Sequence, residues 1–276
     1  MTELARLTDR TVLHLDGTET VDFLQRIVTN DISQARADKA VYTALLTPQG
    51  KYLFDFFMVG DGATGYFLDI FADHREELAK RLTMYKLRAD VTITDLSDSH
   101  AVFWSPDGAS APAGGIAFPD PRVVALGTRI VAPQEAVAAT LAPDAYTAKR
   151  LDLGVPELPV DAERERTLSL EADLDLLNGV DFSKGCFVGQ ELTARMKYRG
   201  KVRKRLMPIS IDGETPAPDT PVLTAEGKEA GKIRTAHKGQ AIALLRLDDL
   251  AKGRLTVSGV EATPRQPDWW PAAEEA

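Results

Sequence analysis

The C-terminal quarter is the part of the sequence that most narrows the possible folds. Residues 205–211, 221–224, 229–236, 240–247 and 254–260 read as short strands, with Gly227 and Gly239 punctuating them. Strands this short and this closely spaced predict a small β-barrel over 205–265, followed by a loose tail, 266–276.

Upstream the pattern alternates between helix and strand, which predicts an α+β body over 1–204. In LTDRTVLHLDG, Val12, His14 and Asp16 alternate with Leu13 and Leu15, as in a strand. A helix follows over 20–27, with Val21, Leu24 and Val28 at helical spacing. Two strands, 41–46 and 51–59, are joined by the turn TPQG, and YFLDIF is a further strand. DHREELAKRLTMYKL (73–87) predicts a helix capped by Asp73 with Glu76 at the third position. Strands over 91–95 and 101–104 come next. Residues 105–122 are dominated by Pro, Gly, Ala and Ser, the composition of a long loop or a subdomain boundary. A strand over 123–132, a helix over 133–141 and a second helix leading to Leu153 complete this region. Val188 to Tyr198 reads as a helix stopped by Gly200.

A hydrophobic fraction of 44% is ample for a core, and no apolar run is long enough to span a bilayer. The N-terminus carries acids early and lacks the apolar stretch of a secretory signal. One cysteine cannot form an internal disulfide. These features predict a soluble cytoplasmic protein that does not engage a membrane. The net charge of -8 hides an asymmetry: residues 184–205 hold eight basic side chains and one acid, a balance of +7, which leaves -15 elsewhere. A basic patch on an acidic body suggests a local anionic ligand.

The lone cysteine lies in KGCFVGQE, residues 184–191. Gly185 and Gly189 leave the backbone open to close approach. A helix starting near Val188 would set its unpaired N–H groups near Cys186, and Lys184 adds positive charge; both favour a thiolate. These conditions suit a reactive or ligating thiol, whereas a small buried hydrophobe is the usual fate of a lone cysteine. One thiol cannot by itself hold an iron–sulfur cluster or a structural zinc ion, and the four histidines show no ligand spacing, so no resident metal is expected. The run RMKYRGKVRKR (195–205) is either a solvated helix end or an anion-binding face. Aromatic platforms for RNA are sparse in it.

Residues 178–206, NGVDFSKGCFVGQELTARMKYRGKVRKRL, resemble the signature of the YgfZ-type folate-binding proteins and their mitochondrial iron–sulfur assembly relatives. FLQRIVTNDI (23–32), LLTPQGKYLFDFFMV (45–59) and RLDLGVPE (150–157) match more weakly, in the expected order. That family is related to the T-protein of the glycine cleavage system, a tetrahydrofolate-dependent aminomethyltransferase. The resemblance implies α/β subdomains around a central folate cavity, closed by a C-terminal β-barrel. It implies a tetrahydrofolate-binding accessory protein that supports iron–sulfur enzymes, including tRNA-modifying ones, with iron–sulfur enzymes or cluster carriers as partners. Cys186 would be the essential thiol.

Two acids follow from the same resemblance. Asp152 lies where the T-protein has a pterin-binding glutamate, and Asp55 where it has a catalytic aspartate. The first member of the T-protein's aspartate pair is Phe54 here, a departure from the pattern for aminomethyl transfer. Read from residue type alone, Asp55 is either such a proton-handling group or a polar residue on an exposed strand face. Lys184, Gln190, Glu191, Arg195 and Arg199 complete the expected folate set, the basic ones suited to a polyglutamate tail. Folate-dependent one-carbon transfer is the enzymatic alternative.

Overall fold

The computed structural model describes residues 3–200, 202–250 and 253–271. Lys201 of the basic run and residues 272–276 of the expected tail lie outside them. The chain divides into two compact units. The first takes in residues 1–48, 53–146 and 177–190; the second takes in 49–52, 147–176 and 191–276. This division differs from a single cut after residue 204, because residues 147–176 cluster with the barrel.

In the first unit a five-stranded sheet runs in the order Val41–Leu46, Tyr52–Gly60, Tyr66–Phe71, Arg10–Asp16 and Thr92–Asp95. Every residue of Tyr52–Gly60 is buried, so that strand packs on both faces. Helices Thr20–Gln25 and Arg75–Lys86 contribute Phe23, Leu24, Leu78 and Leu82 to the core over this sheet. The second helix is not capped by Asp73: its N-cap is His74, without a side-chain cap bond, because a short 3-10 turn over Ala72–His74 precedes it.

The Pro- and Gly-rich segment 105–122 conceals a strand, Ile116–Pro119, and no boundary between units falls there. It pairs with Thr128–Pro133, which pairs with His100–Ser105, and Ala5–Arg6 completes a second sheet. The helix expected over 133–141 is reduced to one 3-10 turn, Gln134–Ala136.

The interior of this unit holds a charged network that no local pattern of residues announces. Asp69 accepts from Arg10 Nε at 2.6 Å and from Arg129 Nη1 at 2.5 Å. Asp120 accepts from Arg129 Nε at 3.0 Å and from Arg122 Nη2 at 2.8 Å. Tyr146 Oη accepts from both Arg122 and Arg129. All three guanidinium groups flank the Phe57 ring, Arg129 at 4.1 Å from its centroid. The two arginines beside Asp120 hold its carboxyl below the ordinary range against a large desolvation cost.

In the second unit, six strands among the described residues close a barrel. Their order is Lys204–Ile211, Gln240–Arg246, Glu229–His237, Pro221–Thr224, Leu255–Val257 and Val260–Pro264, and the last pairs back onto the first. The single strand expected over 254–260 is a hairpin. Ser258 and Gly259 both take positive φ (50° and 81°), the requirement of a tight two-residue hairpin turn. Inward side chains such as Ile209, Val222, Ile233, Leu245 and Val257 form the barrel core. Residues 266–271 are not loose: Trp269 Nε1 donates to Leu153 O at 2.9 Å, and Trp270 packs on the barrel core.

Candidate functional site

Local bonding in the first unit explains how the cysteine is presented. Residues 178–184 are stitched to the turn at 28–31. Thr29 Oγ1 donates to Gly179 O at 2.6 Å, Asp181 N to Thr29 O at 3.0 Å, and Asn30 Nδ2 to Asn178 O at 2.7 Å. Lys184 then reaches inward, its Nζ donating to Val28 O at 2.6 Å and Asn30 O at 2.8 Å. Phe187 is buried as well, with the ammonium 5.7 Å from its ring centroid. Between these two anchors Gly185 and Cys186 are exposed, and a side chain at Gly185 would meet open space. The thiol is free and accessible.

Lys184 therefore corrects one expectation. It is spent on the protein's own backbone rather than offered to a ligand. Burial pushes its pKa down to about 8, while the charges of Asp31 and Asp181 oppose that shift. The helix also begins later than expected, at Gln190. Val188 and Gly189 form a turn, with Gly189 at φ 85°, so Phe187, Val188 and Gly189 separate Cys186 from the first helical residue.

Asp55 is not on an exposed face. It is 2% exposed and accepts from Tyr42 Oη at 3.0 Å, and the Tyr42 ring packs on Phe57. Cys186, Asp55, Lys184 and Gln190 belong to the first unit; Asp152, Glu191, Arg195 and Arg199 belong to the second. Asp152 is exposed at the end of helix Ala145–Asp152, and its main-chain oxygen accepts from Arg265. Glu191, Arg195 and Arg199 are exposed on helix Gln190–Arg199.

The structure gathers polar residues beside the cysteine loop; Asn30 and Asp31 of the matched NDI stretch are candidates for a cavity from the sequence, whereas Lys39, Tyr42, Asn178 and Asp181 are not. A dish of about 470 Å³ is lined by Asn30, Asp31, Lys39, Tyr42, Asn178 and Asp181, among others. Asp31 Oδ1 accepts from Gln25 and from both Ser33 N and Oγ. Asp181 Oδ1 accepts from Ser183 N and Oγ and from Lys184 N. These bonds, led in each case by the serine hydroxyl, hold both carboxyls below the ordinary range, so both are ionised at neutral pH. The DFS stretch of residues 181–183 was the available signal, since Asp and Ser at this spacing form a side-chain turn. Among the described residues no group of three or more His, Cys, Asp or Glu is placed to hold a metal ion, and no helix is long and apolar enough to cross a membrane.

Comparison with known proteins is consistent with this layout. Residues 203–272 match the family model described as the CAF17 C-terminal beta-barrel domain. The mouse mitochondrial iron–sulfur cluster assembly factor IBA57 is 31% identical, over 97% of this chain and 85% of its own length. The human protein of the same name is 32% identical over 98% of this chain and 86% of its own. A Neurospora crassa homolog is 34% identical over 79% of this chain, a match that spans only 56% of that longer protein. In fold, the chain matches the glycine cleavage system aminomethyltransferase T from Bartonella henselae, with a TM-score of 0.77 at 12% identity, covering 97% of this chain and 86% of that one. The fold is thus the expected T-protein type with a C-terminal barrel. The expected cytoplasmic placement is overturned, because these IBA57 relatives are mitochondrial proteins.

Proposed function

Because this chain belongs to the family of the iron–sulfur cluster assembly factor IBA57, we propose that it supports the assembly or repair of iron–sulfur enzymes, with Cys186 as its working thiol. The observation that carries this reading is the presentation of the sulfur. Lys184 and Phe187 pin the loop on either side, and Cys186 alone of the three side chains faces outward. A thiol ligates iron once it has lost its proton, and an accessible loop allows a cluster-bearing partner to approach it. Clients would include the iron–sulfur enzymes that modify tRNA. The test is rescue of an aconitase-type activity in a strain lacking this protein. The wild type should restore it and Cys186→Ala should not, at equal protein level; full rescue by Cys186→Ala would remove the thiol from the mechanism.

Tetrahydrofolate is the ligand we assign to the first-unit dish. The residues present fit a reduced pterin, whose 2-amino and N3–H groups need paired acceptors. Asp31 and Asp181 would accept those bonds, and Lys39 would meet a glutamate carboxylate. When bound, the folate supplies one-carbon chemistry; the chain's own part is to orient the pterin edge. Titration with tetrahydrofolate should show affinity about tenfold weaker in Asp181→Asn, the loss expected of one charged hydrogen bond. Equal affinity would remove folate from this dish. Aminomethyl transfer is the less favoured reading, since Asp55 is enclosed in a fully buried strand and already bonded to Tyr42.

A further inference from the structure

The second unit contains a cavity of about 720 Å³ that the function above leaves unused. That volume suits a molecule of two or three rings. Its apolar wall includes Met196, Met207, Leu247 and Trp270. Indole and thioether groups together favour a flat aromatic guest, through ring stacking and sulfur–aromatic contact.

The walls are held in place without a guest. Trp269 Nε1 is bonded to Leu153 O, and Arg265 Nη1 and Nη2 donate to Asp152 O at 2.9 Å and Leu151 O at 2.6 Å. The Arg265 main chain donates to Pro208 O at 2.8 Å. A site built in advance spares a ligand the entropy of ordering it.

The polar wall is cationic, formed by Lys197, Arg205 and Arg265 opposite Asp175. Arg205 is committed to Asp173 and Asp175 and lies 5.7 Å from the Trp270 ring centroid. Lys197 Nζ lies 3.9 Å from Asp175, and its side chain is 39% exposed. Arg265 Nε is buried and has no hydrogen-bond acceptor, a donor that a native interior seldom leaves unused. Within the lining itself three cations, Lys197, Arg205 and Arg265, face one carboxylate, Asp175, while Asp173 pairs with Arg205 and Asp152 acts on Arg265 from outside it, so the wall turned toward a guest is cationic.

We propose that this cavity binds a flat aromatic or heteroaromatic molecule carrying one negative charge, its ring against Trp270 and its anionic group beside the Arg265 guanidinium and Lys197. The inference stands apart from the folate reading, since it uses only residues of the second unit.

The test uses the full chain titrated with 1-anilinonaphthalene-8-sulfonate, read by the probe's fluorescence. N-phenyl-1-naphthylamine, the same ring system without the charge, runs in parallel. The anionic probe should saturate a single site and bind about tenfold more tightly than the neutral one, the worth of one charge-assisted contact. Lys197→Met, a change at a partly exposed side chain, should weaken only the anionic probe. Trp270→Leu should weaken both, and Arg265→Met should remove the preference for charge. Circular dichroism identifies any variant whose barrel is disturbed, in which case Lys197→Met and the two-probe comparison decide. Non-saturating binding, or anionic affinity unchanged in both Lys197→Met and Trp270→Leu, overturns the assignment.

Discussion

Asp69→Asn is expected to lower the unfolding free energy of the first unit by about 3–5 kcal/mol, the cost of leaving buried charges without their partner. Asp69 is fully buried and takes charged hydrogen bonds from both Arg10 and Arg129, themselves 5% and 0% exposed. An asparagine keeps the shape but supplies one neutral acceptor to two guanidinium groups that cannot shed their protons. The exposed pair Arg254–Glu261, at 2.8 Å, is the contrast: water screens it, and Arg254→Met should change stability by less than about 1 kcal/mol. Urea unfolding in a Trp269→Phe, Trp270→Phe background isolates the signal of Trp104, which is buried in the first unit. A loss below 1 kcal/mol for Asp69→Asn would mean that the network is not a structural keystone.

Lys184→Met should detach the cysteine loop. It leaves the buried carbonyl of Val28 short of a donor, at about 1–3 kcal/mol, and takes a second bond from the partly buried carbonyl of Asn30. Amide hydrogen exchange at 28–31 and 181–187 should rise at least tenfold, and iron–sulfur support should fall as far as with Cys186→Ala, while the barrel amides stay protected. Unchanged exchange at 28–31 would show that the loop is held by other bonds. The same lysine gives a pH signature of definite sign. Its folded pKa, about 8, lies below its ordinary 10.5. Between those values the unfolded chain therefore binds more protons at this site than the native chain does. Stability of the wild type relative to Lys184→Met should rise across that window and be level below it.

The parts of this protein that could be read in its sequence are those governed by near neighbours. Barrel strands announce themselves by alternation and by glycine turns, and KGCFVGQE by its glycines around a single thiol. What escaped depends on distant partners. The two acceptors of Lys184 lie 156 and 154 residues away, so its charge read as a ligand contact when it is an internal brace. Arg10, Asp69, the Asp120–Arg122 pair and Arg129 come from four separate stretches, and only Asp120 and Arg122 are near neighbours in sequence. Ile116–Pro119 was hidden by its Pro- and Gly-rich flanks, and is a strand because Thr128–Pro133 offers it an edge. Asp55 shows the same limit: alternation cannot place a residue outward in a strand that is covered on both faces.

An outward-facing thiol in a sequence with no second cysteine sets a ceiling on disulfide coupling. Air or peroxide can join two copies through that atom and then has nothing left to couple, so covalent growth stops at a pair and never becomes a network. The same arithmetic makes the protein a ready substrate for maleimide chemistry, taking up one fluorophore or spin label per molecule at a known address.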